Sequence, residues 1–222
     1  MRRMLLVGLL ASAAGCQTLL GPPPPELGAT LEGDDDPLTL AAECLQRGEK
    51  EAAAAHLEAH VGRHPDQPMF RAHLAELLWK LDRPADARAH FERFVAAAQD
   101  GAGPVRGHLV HCHTRLMEIA REDGDRAAEA FHRGAGLLRL VEQPGADEVE
   151  SREEVLCQAV KALVEARDLR PGDARPLAYL ALAHEKAGNP RAAATARAAA
   201  RNASAAGLTP AERRQLALRL SE

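Results

Sequence analysis

Ten histidines and four cysteines are the residues of this 222-residue chain with the first claim to chemistry. His56, His60 and His64 lie four apart, which puts successive imidazoles on one helix face at a spacing suited to Zn²⁺, Ni²⁺ or Cu²⁺. No carboxylate or cysteine is spaced to complete that site, and His64 falls at a helix end. The expectation is therefore of half-buried or solvated helix histidines, with metal binding as the competing reading. His111 and His113 flank Cys112, but residues two apart on a helix point about 200° apart, so their rings diverge. Cys44, Cys112 and Cys157 show no CxxC spacing and sit among apolar helix positions. Buried free thiols are expected, and one disulfide with a leftover thiol is the alternative, its pairing left open. The sequence contains no GxSxG, HExxH, phosphate-loop or CxxCH pattern, and its acids are spread over wet helix faces. Neither an enzyme nor a cofactor is expected.

The fourth cysteine has a different setting. Residues 1–15, MRRMLLVGLLASAAG, begin with two arginines, continue with an apolar segment from Met4 to Leu10 and end in small residues. This reads as a signal peptide, too short to span a bilayer comfortably. Ala13-Ala14-Gly15-Cys16 resembles a bacterial lipobox, which implies acylation of Cys16 and cleavage before it. An ordinary secretory signal with an incidental Cys16 is the competing reading, and both take the chain out of the cytoplasm. Several acyl chains, at about 0.8 kcal/mol per buried CH₂, would make the anchoring effectively permanent. By resemblance to Gram-negative lipoproteins, Gln17 in place of an Asp implies the outer membrane, facing the periplasm. Residues 16–36 then carry the proline run Pro22 to Pro25 and Asp34-Asp35-Asp36. Proline supplies no N–H and the acids repel, so this stretch is expected to be an extended tether.

Composition points to helices beyond the tether. Apolar residues make up 46% of the chain, dominated by Ala and Leu, while aromatics are only 3% and β-branched runs are absent. The net charge is −4, and it becomes −6 without Arg2 and Arg3. A modestly acidic surface argues against nucleic acid as a partner. Apolar positions at helical spacing predict helices over 37–47, 50–63, 69–81, 85–99, 105–121, 126–141 and 149–169, then from Asp173 through Lys186 and over 191–205. Thr209-Pro210-Ala211-Glu212 reads as a capping box opening a last helix over 209–220.

The helices repeat. Ala53, Leu57, His60 and Pro65 recur 34 residues later as Ala87, Phe91, Phe94 and Gln99, and Leu40 and Cys44 recur as Leu74 and Leu78. Ala159, Leu163, Ala166 and Pro171 keep the spacing, and Ala193 opens a comparable helix. Small residues at 53 and 87 let paired helices approach, while Leu57, Phe91 and Phe94 fill the gap between units. This pattern resembles the tetratricopeptide repeat. The resemblance implies an all-α, right-handed solenoid of antiparallel helix pairs over 37–220, with units near 34–67, 68–101, 105–141 and 149–207 and a C-terminal cap. The family's aromatic and glycine of the first helix are missing here. In the 149–207 unit the first helix is expected to be eroded to loop or extension.

In that family the first helix of each unit lines a concave groove that holds a peptide. The equivalent positions here include Leu38, Leu45, Met69, Glu76, Trp79, Lys80, Leu182 and Lys186. Trp79, the only tryptophan, stands on this face either as an anchor for a partner or as seam packing. Leu38 and Ala42 occupy the places where some relatives clamp a C-terminal carboxylate, so that mode is not expected. The resemblance implies a lipid-anchored, non-catalytic scaffold for an envelope protein or peptide, touching the membrane only through its lipid. A metal-binding or redox accessory built on the His56, His60, His64 face and the free cysteines is the alternative.

Overall fold

The computed structural model describes residues 36–98, 104–143, 152–203, 208 and 213. The leader, the tether before Asp36 and all but Arg213 of the C-terminal helix expected over 209–220 lie outside them. The described residues form nine helices and no strand: α1 (Pro37–Arg47), α2 (Lys50–Arg63), α3 (Pro68–Lys80), α4 (Pro84–Ala98), α5 (Pro104–Glu122), α6 (Arg126–Val141), α7 (Arg152–Leu169), α8 (Ala174–Lys186) and α9 (Pro190–Asn202). Their starts follow from local chemistry. Asp36, Asp125, Asp173 and Asn189 each turn a side-chain oxygen onto an N–H of the first helical turn, satisfying a donor the helix leaves unpaired. Among the described residues no helix is long and apolar enough to cross a membrane.

Four of the turns are copies of one another. Gly48, Asp82, Gly124 and Gly188 adopt φ of 78°, 57°, 72° and 70°. In each case the next residue's N–H closes back on the helix: Glu49 on the Cys44 carbonyl, Arg83 on Leu78, Asp125 on Ala120 and Asn189 on His184, at 2.8 to 3.0 Å. This left-handed cap ends α1, α3, α5 and α8 and folds the next helix back antiparallel. Asp82 is the one position without glycine, and its Cβ makes that conformation costly. Asp82→Gly is expected to stabilise the protein by about 0.5–1 kcal/mol, read as a Tm gain of about 1–4 °C, whereas Gly48→Ala should destabilise it.

Sequential stacking of these hairpins makes an α-solenoid of tetratricopeptide type. Contacts run almost entirely between consecutive helices, with α3 also touching α5 and α6 touching α8. Ala53, Ala87, Ala159 and Ala193 are all completely buried, as are Phe91, Phe94 and Leu163, so the small-residue and filler positions do the same work in each copy. The crossover after α2 also recurs after α7. His64 N–H bonds to His60 and Gln67 N–H to His64, just as Arg170 bonds to Ala166 and Asp173 to Arg170.

The array departs from regular pairing at α6. This helix packs most extensively on α7 and next on α5, so it is shared between two pairs. Two glycines make that possible. A Cβ at Gly134 would lie 2.6 Å from Leu163 Cγ and 3.1 Å from the Ala159 carbonyl, while one at Gly136 would meet His113 Cβ at 3.3 Å. The partner of α7 is therefore α6 and not an eroded segment, and α8 and α9 form a hairpin of their own. The Pro/Gly-bearing stretch between α6 and α7 breaks the 34-residue spacing.

Candidate interaction surface

Ion pairing ties α3, the first helix of its hairpin, to α5, the first helix of the next. Glu76 of α3 accepts hydrogen bonds from His111 Nε2 at 2.9 Å and from Arg115 at 2.9 and 3.1 Å, both on α5. Arg115 also reaches Glu118 at 2.8 Å, and Lys80 lies 3.8 Å from Glu76. Burial pushes the Glu76 carboxyl up, but the bonds from His111 and Arg115 outweigh it and hold it at about 2. A carboxylate with this many donors is a fixed strut between two repeats.

Trp79 sits beside this strut. It is half-buried, packs on the core of the N-terminal half, and carries the Arg115 guanidinium 5.8 Å above its ring. Trp79 thus packs in the seam, and its intermediate exposure leaves part of the side chain at the surface. Leu45, one unit earlier at the same place, is 38% exposed, and Lys80 is exposed as well. Leu38 and Met69 are half-buried against the same core.

At the far end Leu182 packs on the second core. Lys186 bonds Glu142 of the α6 end at 2.9 Å, and Arg139 joins the same carboxylate at 2.8 Å while lying over Tyr179. Burial alone would raise Glu142, yet these cations keep it below the ordinary range. The α6–α8 contact is thus fastened as the α3–α5 contact is.

The candidate metal ligands are not brought together as a site. His60 is buried, its Nε2 lies 3.1 Å from Gln67 Oε1, and its ring packs edge-on against Phe70. It fills the place that Phe94 fills one unit later. His64 is exposed with its ring 4.6 Å from that of His60, and His56 is half-exposed. Among the described residues no group of three or more His, Cys, Asp and Glu is arranged to hold a metal ion. His111 and His113 do diverge, the first to Glu76 on α3 and the second to His132 on α6.

Cys44, Cys112 and Cys157 are free thiols, the first two buried and the third exposed. Buried Cys44 and Cys112 match the expectation, and exposed Cys157 corrects it, because its position on α7 faces away from α6. Burial, with the nearby Glu76 charge, pushes the Cys112 thiol far up. The thiolate that redox or metal chemistry would use is thereby disfavoured.

Two polar features escaped the sequence reading. Buried His113 and His132 meet through their Nδ1 atoms at 3.2 Å. The Glu76 strut also crosses from one unit to the next, although α3 and α5 are separated by a whole helix. Both depend on which helix stacks on which, which no local pattern reports.

The chain matches no protein-family description and no curated protein. Among solved structures it is similar to MamA. One MamA crystal structure is 16% identical over 73% of this chain and 93% of its own, with a TM-score of 0.39. A second is 16% identical over 75% and 88%, with a TM-score of 0.40. The MamA 41-end chain from Desulfovibrio magneticus RS-1 is 16% identical over 77% and 95%, with a TM-score of 0.35. The likeness is one of helical fold, and the surface residues are this chain's own.

Proposed function

We propose that the protein is a non-catalytic adaptor of the bacterial cell envelope, anchored through an acylated Cys16 and facing the periplasm from the outer membrane. Its first-helix face would hold an extended or helical segment of a partner protein. The observation that carries this reading is the held tryptophan: half-buried Trp79 packs on the core under Arg115, followed in sequence by exposed Lys80, with exposed Leu45 at the equivalent place one repeat earlier. An aromatic partly at the surface, with a cation over it and an exposed leucine at the matching position of the neighbouring repeat, is the composition of a binding anchor.

Leu45→Glu supplies the test, because an exposed leucine can be charged without opening the core. The variant is expected to keep the Tm within about 2 °C of the parent and to lose at least tenfold of whatever partner co-purifies with the anchored protein. Undiminished co-purification would contradict the placement of the groove. Membrane fractionation tests the anchor separately, since Cys16→Ser should move the chain to the soluble fraction, and a variant that stays on membranes would contradict acylation.

A further inference from the structure

Two histidines meet between the first helices α3 and α5. His73 on α3 and His108 on α5 bring their rings to 6.2 Å between centres, with the ring planes crossing at 70°. Glu76 and His111, which bond at 2.9 Å, lie one turn further along the same two helices and keep the same 35-residue separation. The two rungs share one register, so the Glu76 strut that ties α3 to α5 also sets how closely His73 and His108 approach. Phe70, one turn earlier on α3, stands edge-on to His73 at 6.2 Å.

No polar group of the protein holds these two rings. Among the described residues neither His73 nor His108 makes a hydrogen bond or an ion pair, although both are half-buried. Burial first, and then a neighbouring histidine (His108 for His73, His111 for His108), lowers the pKa of each. At pH 7 both rings are therefore neutral and each keeps a lone pair, the form in which histidine binds metals. Metal–nitrogen bonds of about 2.0–2.1 Å put two imidazoles of one ion at about 4.5–6.5 Å between ring centres, depending on the angle at the metal. The observed 6.2 Å falls in that range. The Glu76 carboxylate is taken by His111 and Arg115, and no third ligand converges on the pair. Two neutral nitrogens suit Ni²⁺, Cu²⁺ or Zn²⁺, and not the oxygen-seeking Ca²⁺ or Mg²⁺.

We infer that His73 and His108 form a two-imidazole site for a transition-metal dication, with water in the remaining positions. Bound there, the ion clamps α3 to α5 one turn from the Glu76 strut and stabilises the packing of one hairpin on the next. The site is separate from the His56, His60, His64 face, whose middle ring is buried against Gln67 and Phe70.

The experiment titrates Ni²⁺ calorimetrically into the full chain carrying Cys16→Ser and no histidine tag. One binding site is expected. His73→Asn and His108→Asn should each weaken it at least tenfold, and a His56→Asn, His64→Asn variant should bind as the parent does. The parent supplies a second readout that does not depend on how the variants fold. Substoichiometric Ni²⁺, being paramagnetic, should broaden the imidazole NMR signals of His73 and His108 before those of the other histidines. Absence of binding, an affinity that survives either substitution, an equal loss in the His56, His64 variant, or broadening that spares His73 and His108 would each overturn the site.

Discussion

Between pH 7 and pH 5 the protein is expected to lose about 4 kcal/mol of stability through two buried histidines alone. His113 is 1% exposed and His132 8%, and their Nδ1 atoms lie 3.2 Å apart between α5 and α6. Only one of those nitrogens can carry the shared hydrogen, so the two rings cannot both be charged in the folded state. Burial is the main reason that neither accepts a second proton. For His113, the neighbouring His132 and Arg139 add to it. For His132, Arg175 and Arg88 add to it against Asp125, and the group is held at about 3. In the unfolded chain both would titrate near 6.5. The unfolded state therefore binds more protons below that value, and stability falls as the pH is lowered, by about 1.4 kcal/mol per pH unit for each ring. His73, His90 and His108 are lowered in the same direction, again chiefly by burial. Below pH 4.5 the loss of the Glu76 strut, held at about 2, adds to it. Against a typical total of about 5–15 kcal/mol, this is a large share. Urea unfolding at pH 7 and pH 5 measures it. A His113→Leu, His132→Phe variant should show about 4 kcal/mol less pH dependence than the parent, and equal slopes would contradict the assignment.

Gly134→Val is expected to destabilise the protein by about 2–4 kcal/mol, among the largest effects available to one substitution. The added Cβ would fall on Leu163 Cγ at 2.6 Å and near the Ala159 carbonyl at 3.1 Å. A side-chain end can move, but a backbone oxygen inside α7 cannot, so the two helices must separate. The same position pays about 1 kcal/mol for a helix-interior glycine already, and only the close approach of α6 and α7 explains its presence. Gly62→Ala in α2 is the control. A Cβ there meets nothing within 4 Å, and the substitution should stabilise by about 0.5–1 kcal/mol. Calorimetric or urea unfolding that finds Gly134→Val as mild as Gly62→Ala would contradict the shared role of α6.

The parts of this fold that were legible in the sequence are those written locally. Pro37, Gly48, Asp125 and Gly188 mark helix ends by backbone chemistry that needs no neighbours, and α1, α2 and α6 begin and end as their residues predict. Ala53, Ala87, Ala159 and Ala193 could be aligned because their spacing within each hairpin is fixed. What could not be read is the choice of partner. A constant period pairs each helix with its successor, yet α6 faces two ways, and the 25 residues separating Gly134 from Ala159 fall outside that period. The same blindness applies to the surface. Glu76 and Trp79 are three residues apart on α3, but the arginine that bonds the first and lies over the second comes from α5, and no local spacing reports that.

The claim on which the rest turns is that the first-helix face is where a partner sits. A photo-cross-linking amino acid placed at position 79 in cells, and for comparison at position 50 on α2, tests it most directly. The proposed function predicts one discrete cross-linked protein at position 79 that is absent at position 50 and is lost when Leu45→Glu is added. Equal capture at the two positions, or none above the position-50 background, would contradict it.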